Sequence, residues 1–161
     1  MRLLIVRHAI AVPRGTPGIP DADRPLTRDG RARFRRTARG IVRQFDRPDA
    51  LLTSPWLRAT QTAAILAKAW GRVEPKQTTA LAGGSFEEQA ALLDRFPREV
   101  SVAIVGHEPY LSSLLARILG AHPADRLELK KGGVALVEVP GKLADGGSLV
   151  AFLPPGLLRR L

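Results

Sequence analysis

Short, continuous apolar runs alternate along the chain with amphipathic stretches. Residues 3–6, 50–53 and 100–105 are apolar runs of the length of a strand, and the first and last are typical of strands buried on both faces. Two further strands are predicted at 134–139 and 148–153, and a short one near 78–81. Between the first strands, apolar residues recur at helical spacing.

Four amphipathic helices are predicted, and their ends carry residues suited to caps. Thr27 is the expected cap of the first helix, and Ser54 and Pro55 are expected to start the second, which ends at Gly71. Ser85 and Glu88 match a capping box at the start of the third helix. The fourth helix is expected to begin at Pro109 and to end at Gly120. The segment 9–23 is rich in proline and glycine and is predicted to be a loop. Because it leaves the first strand directly, it is expected to border any site there.

Alternating strands and helices predict an α/β fold. We expect a three-layer αβα sandwich with a mainly parallel central sheet, built as a single domain over residues 1–161. A chain of this length buries enough surface to fold alone, and we expect a monomer.

Composition narrows the function classes. The chain has no cysteine, which excludes disulfides and thiolate metal sites. No apolar run is long enough to span a membrane, and the first residues lack the layout of a signal peptide, so we expect a cytoplasmic protein without a membrane partner. The net charge is +10, but aromatic residues make up only 5% of the chain and form no stacking platform, which disfavours nucleic-acid binding.

Basic side chains follow three of the predicted strands. Arg7 and His8 end the first, His107 follows the strand at 100–105, and Arg58 lies in the first turn of the helix after 50–53. The carboxyl ends of parallel strands form the ligand-binding edge of an open α/β sheet. Each residue alone has a simpler explanation, such as a surface arginine or a structural histidine, but their joint placement predicts an anion-binding site.

Such a set of residues suits phosphoryl transfer. Two guanidiniums can each grip a phosphoryl group, and an unprotonated imidazole is a competent nucleophile. We expect no metal and no cofactor, because the chain has only three histidines and no pair at i, i+4. His122 is assigned to a loop and given no role.

Three segments resemble the histidine phosphatase superfamily, which includes the phosphoglycerate mutases. They are Leu-Ile-Val-Arg-His-Ala at 4–9, Leu-Thr-Ser-Pro-Trp-Leu-Arg-Ala-Thr-Gln-Thr-Ala at 52–63, and Val-Gly-His-Glu-Pro at 105–109. Arg-Pro-Leu-Thr at 24–27 with Gly30, in so short a chain, is most similar to the SixA-type phosphohistidine phosphatases. The resemblance implies a phosphoglycerate mutase-like fold. Ala9 departs from the glycine usual in the first segment.

The resemblance also implies roles for individual residues. His8 would be the nucleophile that accepts the phosphoryl group, Arg7 and Arg58 would bind that group, and His107 would complete the pocket. The implied reaction is metal-independent, two-step hydrolysis through a phosphohistidine enzyme intermediate. A phosphoester leaving group needs a general acid, for which Glu108 and Glu87 are the candidates, although Glu108 is equally explained as a charge at a helix N-terminus.

The lack of an obvious acid favours a protein phosphohistidine as substrate, because its P–N bond breaks readily once the ring is protonated. The short segment between 71 and 85 leaves little chain for a lid and predicts a shallow pocket. The alternatives are a small-molecule phosphomonoesterase of the same superfamily and a non-catalytic module that binds phosphate or nucleic acid.

Overall fold

The structure is a computed structural model and describes residues 1–71, 73–121 and 124–161. Its sheet has six strands in the order β3-β2-β4-β1-β5-β6. The strands are β1 Arg2–Arg7, β2 Ala50–Thr53, β3 Pro75–Gln77, β4 Ser101–Gly106, β5 Val134–Glu138 and β6 Ser148–Leu153. Strands β1 to β4 pair in parallel, β5 is antiparallel to β1, and β6 is antiparallel to β5. The prediction of a mainly parallel sheet is confirmed.

Helices cover both faces of this sheet. They are α1 Arg28–Gln44, α2 Leu57–Ala69, α3 Phe86–Leu93, α4 Tyr110–Leu119 and the short α5 Pro155–Leu158. Alternate residues of β1 divide between two cores: Leu4 and Val6 pack with α1, α2 and α5, whereas Leu3 and Ile5 pack with α3 and α4. The apolar run of β1 is continuous because both of its faces are buried, and the three-layer αβα architecture is confirmed.

The expected helix caps are mostly found. The Thr27 hydroxyl accepts a hydrogen bond from the Gly30 amide, Ser85 and Glu88 form a capping box, and Gly120 ends α4 in the left-handed conformation. Within the described residues, no helix is both long and apolar enough to cross a membrane. His122 lies outside the described residues.

Two local predictions were wrong. The strand expected near 78–81 lies earlier, at Pro75–Gln77, and Thr79–Leu81 is a 3-10 turn. The observed strand, β3, lies at the edge of the sheet. Lys76 and Gln77 in it are exposed and polar, so the sequence there shows no apolar run that would predict a strand. Ser54 does not cap α2, which begins at Leu57 with Trp56 as its N-cap residue. The hydroxyl of Ser54 is instead used in the site described below.

The topology brings three strand ends together. β4 lies between β2 and β1 in the centre of the sheet, and all three run in the same direction. Arg7 at the end of β1 pairs with Gly106 at the end of β4, and Thr53 of β2 pairs with Val105. The residues that follow these strands therefore emerge side by side at one edge.

Candidate active site

His8, Arg58 and His107 meet at this edge of the sheet and are buried there. The two imidazole rings lie 5.0 Å apart between centroids, and the Nε of Arg58 lies 3.3 Å from the Nε2 of His8. Arg58 is only 2% exposed, so it is not a surface arginine of an amphipathic helix. The structure thus places all three predicted residues in one cluster.

The hydrogen bonds of His8 determine its tautomer. Its Nδ1 lies 2.7 Å from the carbonyl oxygen of Ala9, which can only accept, so Nδ1 carries the proton. The Nε–H of Arg58 points at Nε2, which must then be the unprotonated nitrogen. The Ala9 amide donates to the hydroxyl of Thr62, which fixes this turn of backbone against α2. His8 therefore presents a lone pair on Nε2 toward Arg58.

Burial and charge keep His8 neutral. Desolvation is the largest cause that lowers the pKa of His8, to about 3, and the positive charges of Arg58, Arg7 and Lys131 lower it further, while the hydrogen bond to Ala9 opposes the shift. The imidazole is therefore unprotonated at neutral pH, which is the form a nucleophile requires.

Asp21 holds the guanidinium of Arg58 in place. Nη1 of Arg58 donates to the backbone oxygen of Asp21 at 2.5 Å, and Nη2 donates to its carboxylate at 3.2 Å. The same carboxylate accepts hydrogen bonds from Arg24 at 2.9 Å and from Arg14 at 3.0 Å. Asp21 belongs to the loop that follows His8, so the expectation that this loop borders the site is met.

The arginines around Asp21 also keep it ionised. Although desolvation raises the pKa of Asp21, the hydrogen bond from Arg14 and the charges of Arg58 and Arg24 outweigh it and lower the pKa to about 2. Asp21 is thus a permanent anion that orients Arg58, and it carries no proton to give at neutral pH.

Arg7 is fixed by the loop at residues 128–133. Its Nη1 donates to the carbonyl oxygen of Leu129 at 2.5 Å and to the carboxylate of Glu128 at 3.0 Å. Its Nε is buried and has no hydrogen-bond partner among the described residues. One N–H of Arg7 is therefore left for an anion at the site.

His107 contacts Ser54 and Trp56. The Ser54 hydroxyl lies 2.8 Å from Nε2 of His107 and also accepts a hydrogen bond from the Trp56 amide at 3.2 Å. Ser54 is fully buried, and among the described residues Nε2 is the only acceptor near its hydroxyl proton. Ser54 therefore donates to Nε2, which places the ring proton of His107 on Nδ1.

The proton on Nδ1 of His107 is the second unpaired donor of the cluster. Nδ1 is buried without a hydrogen-bond partner in the described part of the chain. Desolvation is the largest cause that lowers the pKa of His107, to about 3, and the proximity of His8 and of the Arg58 guanidinium lowers it further. The ring is neutral and offers a single N–H, which suits a phosphoryl oxygen.

The two candidate acids are placed differently. Glu108 accepts hydrogen bonds from the amide and hydroxyl of Ser112 in the first turn of α4, and from the amide of Leu129. Glu87 lies exposed at the start of α3, and backbone and Ser85 hydrogen bonds lower the pKa of its carboxyl. Neither hydrogen-bonds to His8, Arg58 or His107, so the structure does not bring them into the cluster.

Sequence reasoning missed Asp21 and Ser54 as members of the site. Asp21 lies in a loop without periodicity, and the only signal for it was its position between Arg14 and Arg24. Ser54 was misread because serine followed by proline is the usual start of a helix. Both residues act through hydrogen bonds that only the fold creates.

Comparison with known proteins agrees with this geometry. The family model of the histidine phosphatase superfamily, branch 1, matches residues 3–89. An uncharacterized protein of Picosynechococcus sp. is 36% identical over 137 residues, which cover 83% of this chain and 82% of that protein. The chain belongs to the histidine phosphatase superfamily.

Two solved structures are similar over nearly their whole length. The putative phosphohistidine phosphatase SixA of Agrobacterium tumefaciens is 26% identical with a TM-score of 0.81, covering 96% of this chain and 97% of that one. The protein histidine phosphatase SixA in complex with tungstate is 24% identical with a TM-score of 0.83, covering 97% and 98%. Within the superfamily, the chain is of the SixA type and has the phosphoglycerate mutase-like fold.

Proposed function

We propose that this protein is a metal-independent phosphatase that removes the phosphoryl group from phosphohistidine on a protein. The observation that carries the proposal is the unprotonated Nε2 of His8, held by the Ala9 carbonyl on one side and facing Arg58 on the other. A neutral imidazole among cations is an activated nucleophile in a site ready for an anion.

In the first step, the Nε2 lone pair attacks phosphorus while the P–N bond of the substrate breaks and its electron pair returns to the substrate ring. As Nε2 becomes bonded to phosphorus, positive charge develops on the His8 ring, and the Nδ1–H bond to the Ala9 carbonyl stabilises it. The N–H groups of Arg7, Arg58 and His107 bind the phosphoryl oxygens.

In the second step, water attacks the phosphoryl group on His8. The bond from phosphorus to Nε2 breaks, orthophosphate leaves, and the ring returns to its neutral form. Arg58 stays aligned through both steps because Asp21 holds its two Nη atoms.

The substrate is inferred from the carboxylates around the site. Hydrolysis of an ester needs an acid that protonates the leaving oxygen. Asp21 is ionised with a pKa of about 2, and both oxygens of Glu108 accept hydrogen bonds from Ser112 and Leu129. A phosphohistidine substrate does not need such an acid, because its own ring can take the proton from solvent.

The two histidines are less exposed than a shallow pocket would make them, since His8 is 6% and His107 is 3% exposed. A phosphohistidine carries its phosphoryl group at the end of a long side chain and can reach inward. The segment between Gly71 and Ser85 contains β3 and a 3-10 turn and, in its described part, no lid helix.

The test compares hydrolysis of a phosphohistidine-bearing protein with that of para-nitrophenyl phosphate, both in the presence of a chelator. We expect the phosphoprotein to be cleaved much faster, and H8A to lose at least about 10⁴-fold in rate. H122A, which changes the histidine with no assigned role, is the matched control. If the ester is preferred, the small-molecule alternative replaces the proposal; if neither is cleaved, the catalytic proposal is wrong.

A further inference from the structure

A groove of about 470 Å³ lies beside Arg7 and is strongly positive. Arg7 and Ala9, the two neighbours of His8 in the chain, line this groove, so the groove adjoins the strand end that carries His8. Buried Phe34 and Thr37 form part of its floor. Five cations and one carboxylate line it, namely Arg7, Arg33, Lys130, Lys131, Arg159 and Glu128.

Three of these cations have no ion-pair partner in the described part of the chain. Arg7 pairs with Glu128, and Arg33 pairs with Asp29 at 2.7 Å. Lys130, Lys131 and Arg159 are exposed, and within the described part of the chain no carboxylate lies within 4.0 Å of any of them. A groove with such an excess of positive charge attracts an anionic ligand.

The arrangement of the cations fits an extended chain better than a single small anion. The five cations come from four places in the fold, which are the end of β1, α1, the loop at 128–133 and the residue that follows α5. Apart from Arg7, which the loop at 128–133 holds by hydrogen bonds, their side chains are exposed and are not fixed into one socket. Several carboxylates spaced along a peptide can pair with them one by one.

Backbone hydrogen bonds fix the loop at 128–133, which lines the groove, against the strand end that carries His8. The amide of Gly132 donates to the backbone oxygens of Arg7 at 3.1 Å and of His8 at 3.2 Å. Lys130 and Lys131 therefore keep a fixed position relative to the end of β1. A peptide bound along the groove then lies beside Arg7 and Ala9, the two neighbours of His8 in the chain.

We infer that this groove binds an acidic segment of the substrate protein, next to the residue that carries the phosphoryl group. The inference rests on the proposed function for the identity of the partner, but the groove's affinity for acidic peptide does not depend on catalysis. The two are therefore tested separately.

The binding experiment uses a fluorescein-labelled hexaglutamate peptide and measures its anisotropy with the full chain. The test variant is K130Q/R159Q, which leaves Lys131 unchanged because the charge of that residue acts on His8. The matched control is R39Q/K68Q, which removes one arginine and one lysine from a second basic groove between α1 and α2. Both variants lose the same net charge.

We expect K130Q/R159Q to bind the peptide roughly tenfold more weakly than the wild type, and R39Q/K68Q to bind it almost as tightly as the wild type. Equal losses in the two variants would mean that net charge alone governs binding, and would overturn the inference. It would also be overturned if a single-stranded oligonucleotide bound the groove more tightly than the peptide with the same dependence on Lys130 and Arg159.

A second experiment measures kcat/KM on two phosphohistidine peptides, one flanked by glutamates and one by glutamines. The wild type should prefer the acidic peptide, and K130Q/R159Q should lose that preference while R39Q/K68Q keeps it. If neither peptide is cleaved but the binding difference persists, the proposed function fails and the docking groove stands. If both are cleaved equally well by the wild type, the groove does not serve substrate binding and the inference is wrong.

Discussion

The Nε of Arg58 donates to Nε2 of His8 over 3.3 Å, so a buried cation faces the unprotonated nitrogen of the histidine. The contact depends on two elements far apart in sequence, the end of β1 and the first turn of α2. In the proposed reaction, a phosphoryl group bonded to Nε2 lies within reach of Arg58, so the side chain that adds to the effect of burial in keeping His8 neutral also binds the transferred group.

The first prediction concerns the shape of this cation. In R58K the charge remains, but a lysine cannot contact Nε2 of His8 and both acceptors of Asp21 at once. We expect kcat/KM to fall by about 10²-fold. Steady-state kinetics on a phosphohistidine peptide checks this, with R35K, an exposed substitution on α1, as the control. A loss as small as that of R35K would mean that Arg58 does not bind the phosphoryl group.

The low pKa of His8 predicts how activity depends on pH. Since burial and the neighbouring arginines lower the pKa to about 3, Nε2 stays unprotonated from neutral pH down to about pH 5. We expect no fall of kcat/KM over that range from protonation of the free enzyme. The measurement is a pH profile on a substrate whose own ionisation has been determined. An acid limb centred near the ordinary pKa of histidine, and absent from the substrate, would contradict the assigned state of His8.

The same two histidines predict how stability depends on pH. The pKa values of His8 and His107 are lowered to about 3 in the folded protein, whereas both rings titrate normally when unfolded. Below about pH 6.5 the unfolded chain therefore binds more protons, and stability falls as the pH decreases toward 3. We expect each histidine to remove about 2 kcal/mol from the free energy of unfolding between pH 7 and pH 5.

Chemical denaturation at several pH values measures this slope, and H8Q should show about half of it because one of the two groups is gone. An identical slope in H8Q and the wild type would show that other groups cause the loss.

The central strands and the clustered residues His8, Arg58 and His107 could be predicted from the sequence, because each carries a local pattern. Buried parallel strands are continuous apolar runs, and a histidine or arginine that ends such a run is placed by topology alone. β3 escaped prediction because an edge strand needs no apolar residues. Asp21 escaped because its partners Arg14, Arg24 and Arg58 are brought together only when the loop folds back over α2.

A further prediction tests the role of Ser54. In S54A, Nε2 of His107 loses its hydrogen-bond donor, and the ring is no longer held with its proton on Nδ1. We expect kcat/KM to fall about 10- to 100-fold with little change in KM, because the hydrogen bond from Nδ1 of His107 to the charged phosphoryl group is lost. T53V is the control, since it removes a neighbouring buried hydroxyl whose one hydrogen bond among the described residues goes to the Ser54 carbonyl. An equal effect of both variants would indicate a general packing defect rather than control of the His107 tautomer.

The last prediction decides between the two explanations of Glu108. Its carboxylate joins Ser112 in the first turn of α4 to the amide of Leu129, and the Leu129 carbonyl accepts from Arg7. In E108Q an amide NH₂ replaces one acceptor, so we expect a loss of about 1–3 kcal/mol in stability. The weakened contact with Leu129 also shifts Arg7, which is proposed to bind the phosphoryl group of either substrate. Hydrolysis of phosphohistidine and of para-nitrophenyl phosphate should therefore fall by the same factor. S112A, which keeps the bond from Leu129 to Glu108, should have a smaller effect on both. If E108Q instead abolished ester hydrolysis alone, Glu108 would be the proton donor, and the preference for phosphohistidine would need another explanation.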